Sequence, residues 1–140
     1  MATFGKRGLV EESVEKRMGF YEAVKEVFGK YFVFSGRATR PEFWWFYLFY
    51  FITFCLLEFA IGVSAALELS GVLVTFTILT WIYGLACLVP YTSLTCRRLH
   101  DSNRSGWWML IGFTGIGLLW VFWWTLKKSD VGENKFGHPA

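Results

Sequence analysis

The chain has 140 residues, is 54% hydrophobic and 21% aromatic, and contains eight Trp and fifteen Phe, more apolar side chain than a soluble domain of this size can bury. Its formal net charge of +3, from 14 Lys and Arg against 11 Asp and Glu, is too mild to argue for a nucleic-acid partner. The apolar residues fall in blocks of about 20, the length an α-helix needs to cross ~30 Å of hydrocarbon, so lipid is the expected solvent for most of the chain.

Residues 10 to 32 place Val10, Val14, Met18, Tyr21, Val24, Phe28 and Tyr31 at steps of three and four, which predicts an amphipathic helix. The pairs Glu12 with Lys16 and Glu26 with Lys30 support it at i, i+4 spacing. Its mixed charge favours packing on the end of a bundle over lying in the membrane interface. No apolar h-region or small-residue cleavage site precedes residue 42, so no removable secretory signal is expected. On this reading residues 1–33 form a cytoplasmic or interfacial helix and residues 34–140 a membrane domain.

Phe34 to Phe43 reads as a loop turning into a helix, with Gly36 for the turn, Thr39 and Glu42 in a capping-box pattern, and Pro41 in the first turn. The first spanning helix is expected from about 41 to 66, beginning in an aromatic cluster suited to the headgroup boundary. Glu58 lies more than halfway along it. A carboxylate there is either within reach of water at the far interface or an intramembrane polar site.

A link around Leu67–Gly71 without Lys or Arg leads to a second span, 72 to 96, in which Pro90 predicts a kink or break. Residues 97 to 108, Arg-Arg-Leu-His-Asp-Ser-Asn-Arg-Ser-Gly-Trp-Trp, form a polar strip between two apolar runs. A third span, 106 to 126, has Trp at both ends and Gly112, Gly115 and Gly117 in the middle, where small residues permit close packing or a local break. The polar tail from Ser129 is expected on the surface. Cys55, Cys87 and Cys96 lie in or beside the apolar blocks without paired spacing, so they read as free thiols with no disulfide or zinc framework, and no cofactor is implied.

Eight basic residues precede the first span, three lie in the strip and three follow Leu126, which places the N-terminus and the strip in the cytoplasm. Three crossings would then export Lys127, Lys128 and Lys135. A third segment folding back at Gly112 to Gly117 would keep them inside, with halves of about ten residues whose backbone needs packing against protein. Three crossings is the expectation carried forward, giving an all-α integral membrane bundle of three transmembrane helices behind an amphipathic one.

Arg97, Arg98 and Arg104 carry planar guanidiniums that can clasp phosphates, and Trp107 and Trp108 stand beside them at headgroup level. Arg37, Arg40 and Glu42 fall on the same side, where Glu42 can pair with a strip arginine. The blander alternative is that these arginines enforce topology. His100 with Asp101 invites a proton-transfer reading, but adjacent helical residues do not face each other and no nucleophile is identifiable. A metal site would need Glu58, Asp130, Glu133 or His138 to come near. Asp101 or Ser102 is expected instead to cap the third helix, with Arg98 or Arg104 pairing with Asp101.

Phe34–Trp44, Arg97–Trp108 and Gly132-Glu-Asn-Lys-Phe-Gly137, in that order and spacing, make the chain resemble a family of small bacterial inner-membrane proteins, domain of unknown function 805, from about Tyr31 to Pro139. The resemblance implies a polytopic plasma-membrane domain with no assigned activity. Family members often carry a proline in the third apolar segment and an acidic residue before the final proline, where this chain has Gly115 and His138.

The function expected from these features is a non-enzymatic module of the bacterial inner membrane. Its cytoplasmic Arg- and Trp-rich face would bind anionic phospholipid headgroups or a membrane protein partner. The alternatives are a small homo-oligomeric transport or ion-conducting module using Glu58, and a membrane enzyme using His100 and Asp101.

Overall fold

A computed structural model describes residues 18–129 and 132–138. Its elements among the described residues are all helices, with no named strands and one isolated bridge in the tail. Four α-helices, α1 (Phe20–Gly29), α2 (Arg40–Ala66), α3 (Ser70–Asp101) and α4 (Ile116–Leu126), are joined by turns and by a 3₁₀ helix, Gly106–Thr114.

Among the described residues, α2 and α3 are the two helices long and apolar enough to cross a membrane. α2 starts as its sequence demands. Thr39 is the N-cap and its hydroxyl accepts from Glu42 N–H at 3.3 Å, with Pro41 in the first turn where a missing donor is harmless. The Glu42 side chain does not close the capping box, because it is committed to Arg97. α2 and α3 run antiparallel, held by the Tyr50–Tyr83 ring stack at 5.6 Å and by Tyr83 donating to the Tyr50 carbonyl at 3.3 Å.

α3 passes through Pro90 without a break, so of the expected kink or break the break does not occur. Proline removes the N–H that would serve the carbonyl four residues earlier, and in an apolar span that carbonyl is costly to leave bare. Here the orphan is Ala86 O, and Tyr31 Oη donates to it at 2.5 Å. The Thr92 hydroxyl donates to Leu88 O and Val89 O, and Ser93 to Pro90 O, so the surrounding carbonyls are also engaged.

α1 packs across the charged end of α2 and α3. Ala23 and Val27 are fully buried, Val27 joining Ala38, Phe43, Phe46 and Leu94 in the core, while Phe28 meets Phe46 edge-on at 5.6 Å. Packing on the bundle is thus what the described part of this helix does. The buried stripe is rotated from the expected one: Tyr21 is exposed and Ala23 takes the inside position. Glu26 pairs with Lys30 at 2.6 Å, whereas Val10, Val14 and the Glu12–Lys16 pair lie outside the described residues.

The third apolar run is not the single helix expected over 106 to 126. It is a 3₁₀ stretch and α4 joined at Gly115, whose φ of 74° is one that residues with a Cβ rarely adopt. The two arms lie against each other, and a Cβ on Gly117 would run into the Ile111 carbonyl. Both ends of the run return to the end of α3: Gly106 packs on Cys96, and the Trp124 carbonyl accepts from Ser102 Oγ at 3.2 Å. Backbone polar groups at the bend are met locally, Gly117 N–H donating to Thr114 Oγ1 at 3.1 Å and that hydroxyl donating to Ile111 O at 2.6 Å.

Candidate functional site

The strip is mostly helix. Arg97 to Asp101 form the last turns of α3, and only Ser102 to Ser105 make the turn, with Asn103 in the left-handed region that asparagine tolerates. Helical spacing therefore sorts the strip's side chains into different directions, and they meet different partners.

Arg97 points to α2, where its Nη1 donates to Glu42 Oε1 at 2.6 Å. Both groups are buried, and the other guanidinium nitrogens of Arg97, Nε and Nη2, have no hydrogen-bond partner among the described residues. Glu42 is the α2 residue expected to lock onto the strip, and Arg97 is the arginine that it meets.

Asp101 is shared. Arg37 Nε donates to its Oδ1 at 2.8 Å and Arg37 Nη2 lies 2.7 Å from the same oxygen, while Arg98 Nη1 pairs with Oδ2. Three guanidiniums and two carboxylates, each at most 4% exposed, are thus packed together at one end of the bundle. Charges taken out of water need their remaining valences met, and here backbone carbonyls contribute. Arg37 donates to Gly132 O at 2.6 Å. Arg98 donates through Nε and Nη2 to Thr125 O, at 3.2 Å each, and through Nη2 to Lys127 O.

Those last acceptors explain why an arginine stands here. The final carbonyls of a helix have no partner inside it and carry the negative end of its dipole. α4 ends with no basic residue of its own in the last turn, so Arg98 and the Ser102 hydroxyl serve its carbonyls from α3. The expected capping of a third helix by Asp101 or Ser102 is replaced by this arrangement. Ser105 caps the 3₁₀ arm, Asp101 pairs with arginines, and Ser102 serves the end of α4.

His100 turns away from Asp101. A carbonyl can only accept, so its Nδ1, 3.1 Å from Gly36 O, carries the proton, and its Nε2 faces Cys96 Sγ at 3.6 Å. With both Asp101 oxygens engaged by arginines, the proton-transfer pair of the alternative enzyme reading does not assemble, in keeping with the expectation that adjacent helical residues do not face each other. No group of three or more potential metal ligands occurs among the described residues, and Asp130 lies outside them. His138 and Glu133 approach each other at 3.7 Å, both well exposed.

The described tail lies on the surface as expected, with Glu133, Lys135 and His138 exposed, and it also borders this layer. Phe136 stacks on His100 with ring centroids 4.0 Å apart and planes within 6°, and Asn134 Nδ2 donates to the His100 carbonyl at 3.0 Å. A tight turn with paired Asn134 and Gly137 backbones presents the two side chains together. Its sequence signal was the Asn-Lys-Phe-Gly turn; nothing in the tail alone indicated what it docks against.

The arginines expected to face phosphates divide accordingly. Arg37, Arg97 and Arg98 are buried, and Arg40 at the first turn of α2 is half-buried. Arg104 is exposed, lying over the Trp124 ring at 5.1 Å, with exposed Trp107 and Trp108 just beyond it in the chain. Glu58 is exposed on α2, away from α3, with no ion-pair partner among the described residues.

The family described as "Protein of unknown function (DUF805)" matches residues 31–138. Among curated proteins, the chain is similar to the inner membrane protein YhaH of Escherichia coli K12, 38% identical over 116 residues, covering 80% of this chain and 90% of that protein. It is also similar to the inner membrane protein YhaI of the same strain, 37% identical over 113 residues, covering 80% and 89%. No solved structure matches.

Proposed function

We propose, from the premise that the chain belongs to the DUF805 family, that it is a non-enzymatic module of the bacterial inner membrane that engages anionic phospholipid headgroups on its cytoplasmic face. In this reading α2 and α3 cross the bilayer, and Gly106–Leu126 is a re-entrant hairpin. A nine-residue 3₁₀ arm is ~18 Å long and an eleven-residue α4 ~17 Å, each about half of a ~30 Å hydrocarbon layer. The bend would sit near the bilayer centre, and the N-terminus, strip and tail would share the cytoplasmic side with all 14 basic residues. The separate transport reading of Glu58 finds no added support in the α2–α3 pair, because Glu58 faces away from it.

The observation that carries the headgroup reading is the exposed set Arg104, Trp107 and Trp108, beside a polar layer whose other strip arginines are already engaged. A guanidinium at the interface with indoles on the same rim suits a phosphate diester whose acyl chains continue beside the hairpin. Native mass spectrometry from nanodiscs of mixed phosphatidylglycerol and phosphatidylcholine tests it. The native chain is expected to retain phosphatidylglycerol preferentially, and an Arg104→Gln, Trp107→Ala double variant to lose that preference. Unchanged retention in the variant overturns headgroup binding at this rim. For the topology, single cysteines at Ser70, Ser102 and Ser129 are labelled in intact cells: Ser70 alone is expected to react with an impermeant reagent, and labelling at Ser129 would overturn the re-entrant hairpin.

A further inference from the structure

Glu58 lies in α2 ~27 Å along the axis from Arg40 and ~12 Å from Ala66, and it is exposed on the bundle surface. The face of α2 against α3 is marked by half-buried Tyr50, Thr53 and Leu57 and buried Ser64. Glu58 stands about a quarter turn away, on an exposed stripe with Phe51, Gly62 and Ala65. Counted from the polar layer at Glu42, a ~30 Å hydrocarbon slab ends near residue 63, so this stripe faces acyl chains and Glu58 lies inside the slab. A carboxyl inside the slab is costly unless it is protonated, reaches water or meets a polar partner, and a partner in the membrane satisfies it without moving it from this depth. Neither the described contacts nor the rest of the sequence offers a cation at this depth, since no Lys or Arg occurs between Arg40 and Arg97.

We propose that this stripe is the contact between two copies of the chain, with the Glu58 carboxyls hydrogen-bonded to each other across a two-fold axis along the membrane normal. Copies inserted in the same orientation carry Glu58 at the same depth, and a two-fold contact sets a residue near the axis against itself. One carboxyl donates its O–H and the other accepts, so the pair is satisfied without any cation. The flanking residue is suited to close approach: a Cβ added to Gly62 would meet nothing within its own chain, leaving room for a second helix one turn from Glu58. This contact lies on the far side of α2 from α3 and does not involve the polar layer, so it stands or falls separately from headgroup binding.

The test uses the full chain in phosphatidylcholine bilayers. In a Cys55→Ser background, Gly62→Cys is oxidised beside Leu56→Cys, which is equally lipid-exposed but on the opposite side of α2. Disulfide dimers are expected at position 62 and not at 56. Dimer affinity is followed by single-molecule photobleaching over a lipid-dilution series. Glu58→Gln, which keeps a donor and an acceptor, is expected to stay within threefold of the native chain, and Glu58→Leu to weaken the dimer about tenfold. Equal cross-linking at both positions, a monomer at every dilution, co-purification of the monomer with another protein at this face, or a Glu58→Leu chain that dimerises as well as the native one would each overturn the proposal.

Discussion

Arg98, in the last turn of α3, donates from Nε to the carbonyl of Thr125 at 3.2 Å, spanning 27 residues of sequence to close the end of α4. That bond ties the polar strip to the returning arm of the third apolar run. Through Asp101 the same guanidinium connects to Arg37 and so to the loop before α2.

Asp101 pairs with both Arg37 and Arg98, so its removal takes a shared anion from two buried guanidiniums. Asp101→Asn is expected to destabilise the fold by about 3–5 kcal/mol, as for other broken buried ion pairs. Thermal unfolding in detergent micelles, compared with the exposed substitution Glu133→Gln as a control, measures it.

The Arg97–Glu42 pair behaves differently under double substitution. Either single change, Arg97→Met or Glu42→Leu, strands one buried charge and is expected to cost about 3–5 kcal/mol. The double variant removes both charges along with the unpartnered Nε and Nη2 of Arg97, so it is expected to recover most of the loss. A double variant no more stable than the worse single one would contradict this account of the pair.

Tyr31 and Pro90 are coupled through an atom that belongs to neither of them. Tyr31→Phe leaves Ala86 O bare and is expected to cost about 1–3 kcal/mol. Pro90→Ala restores the backbone N–H to that carbonyl, so Tyr31→Phe is expected to cost little in the Pro90→Ala chain. A double-mutant cycle on unfolding free energies measures the coupling.

Gly117 sits where the two arms of the hairpin touch, and a larger side chain there must push the Ile111 carbonyl aside. Gly117→Val is expected to separate the arms and withdraw the α4 carbonyls from Arg98. Amide hydrogen exchange then rises at Thr114 to Trp124 while α2 remains protected, and unchanged exchange in the hairpin would count against this packing.

Much of this structure is legible in the sequence because it depends on neighbours along the chain. The Thr39 cap and Pro41 announce the start of α2, and the length and apolarity of the second run announce α3. The pairing of Glu42 with an arginine of the strip follows from charges gathered at one end of the apolar runs. Three features were read differently from the sequence. Pro90 was expected to kink or break α3, and the helix runs on unbroken because the orphaned carbonyl finds Tyr31 55 residues away. Arg97 and Arg98 were expected to face phosphates, but helical geometry turns both inward. The third run has the length and the flanking Trp residues of a crossing, while Gly115 and Gly117 allow a bend that composition cannot choose.

By itself, then, the sequence determined the solvent of this protein, its helical class, the positions of its two long spans and the end where its charges collect. Those properties follow from hydrophobicity, helical period and capping, which act over a few residues. The tertiary structure decided which charges pair, that the tail closes over His100, and that both ends of the third run meet the end of α3. Those outcomes depend on contacts such as Arg98 with Thr125 and Asn134 with His100, whose partners are brought within hydrogen-bonding distance only when the helices pack.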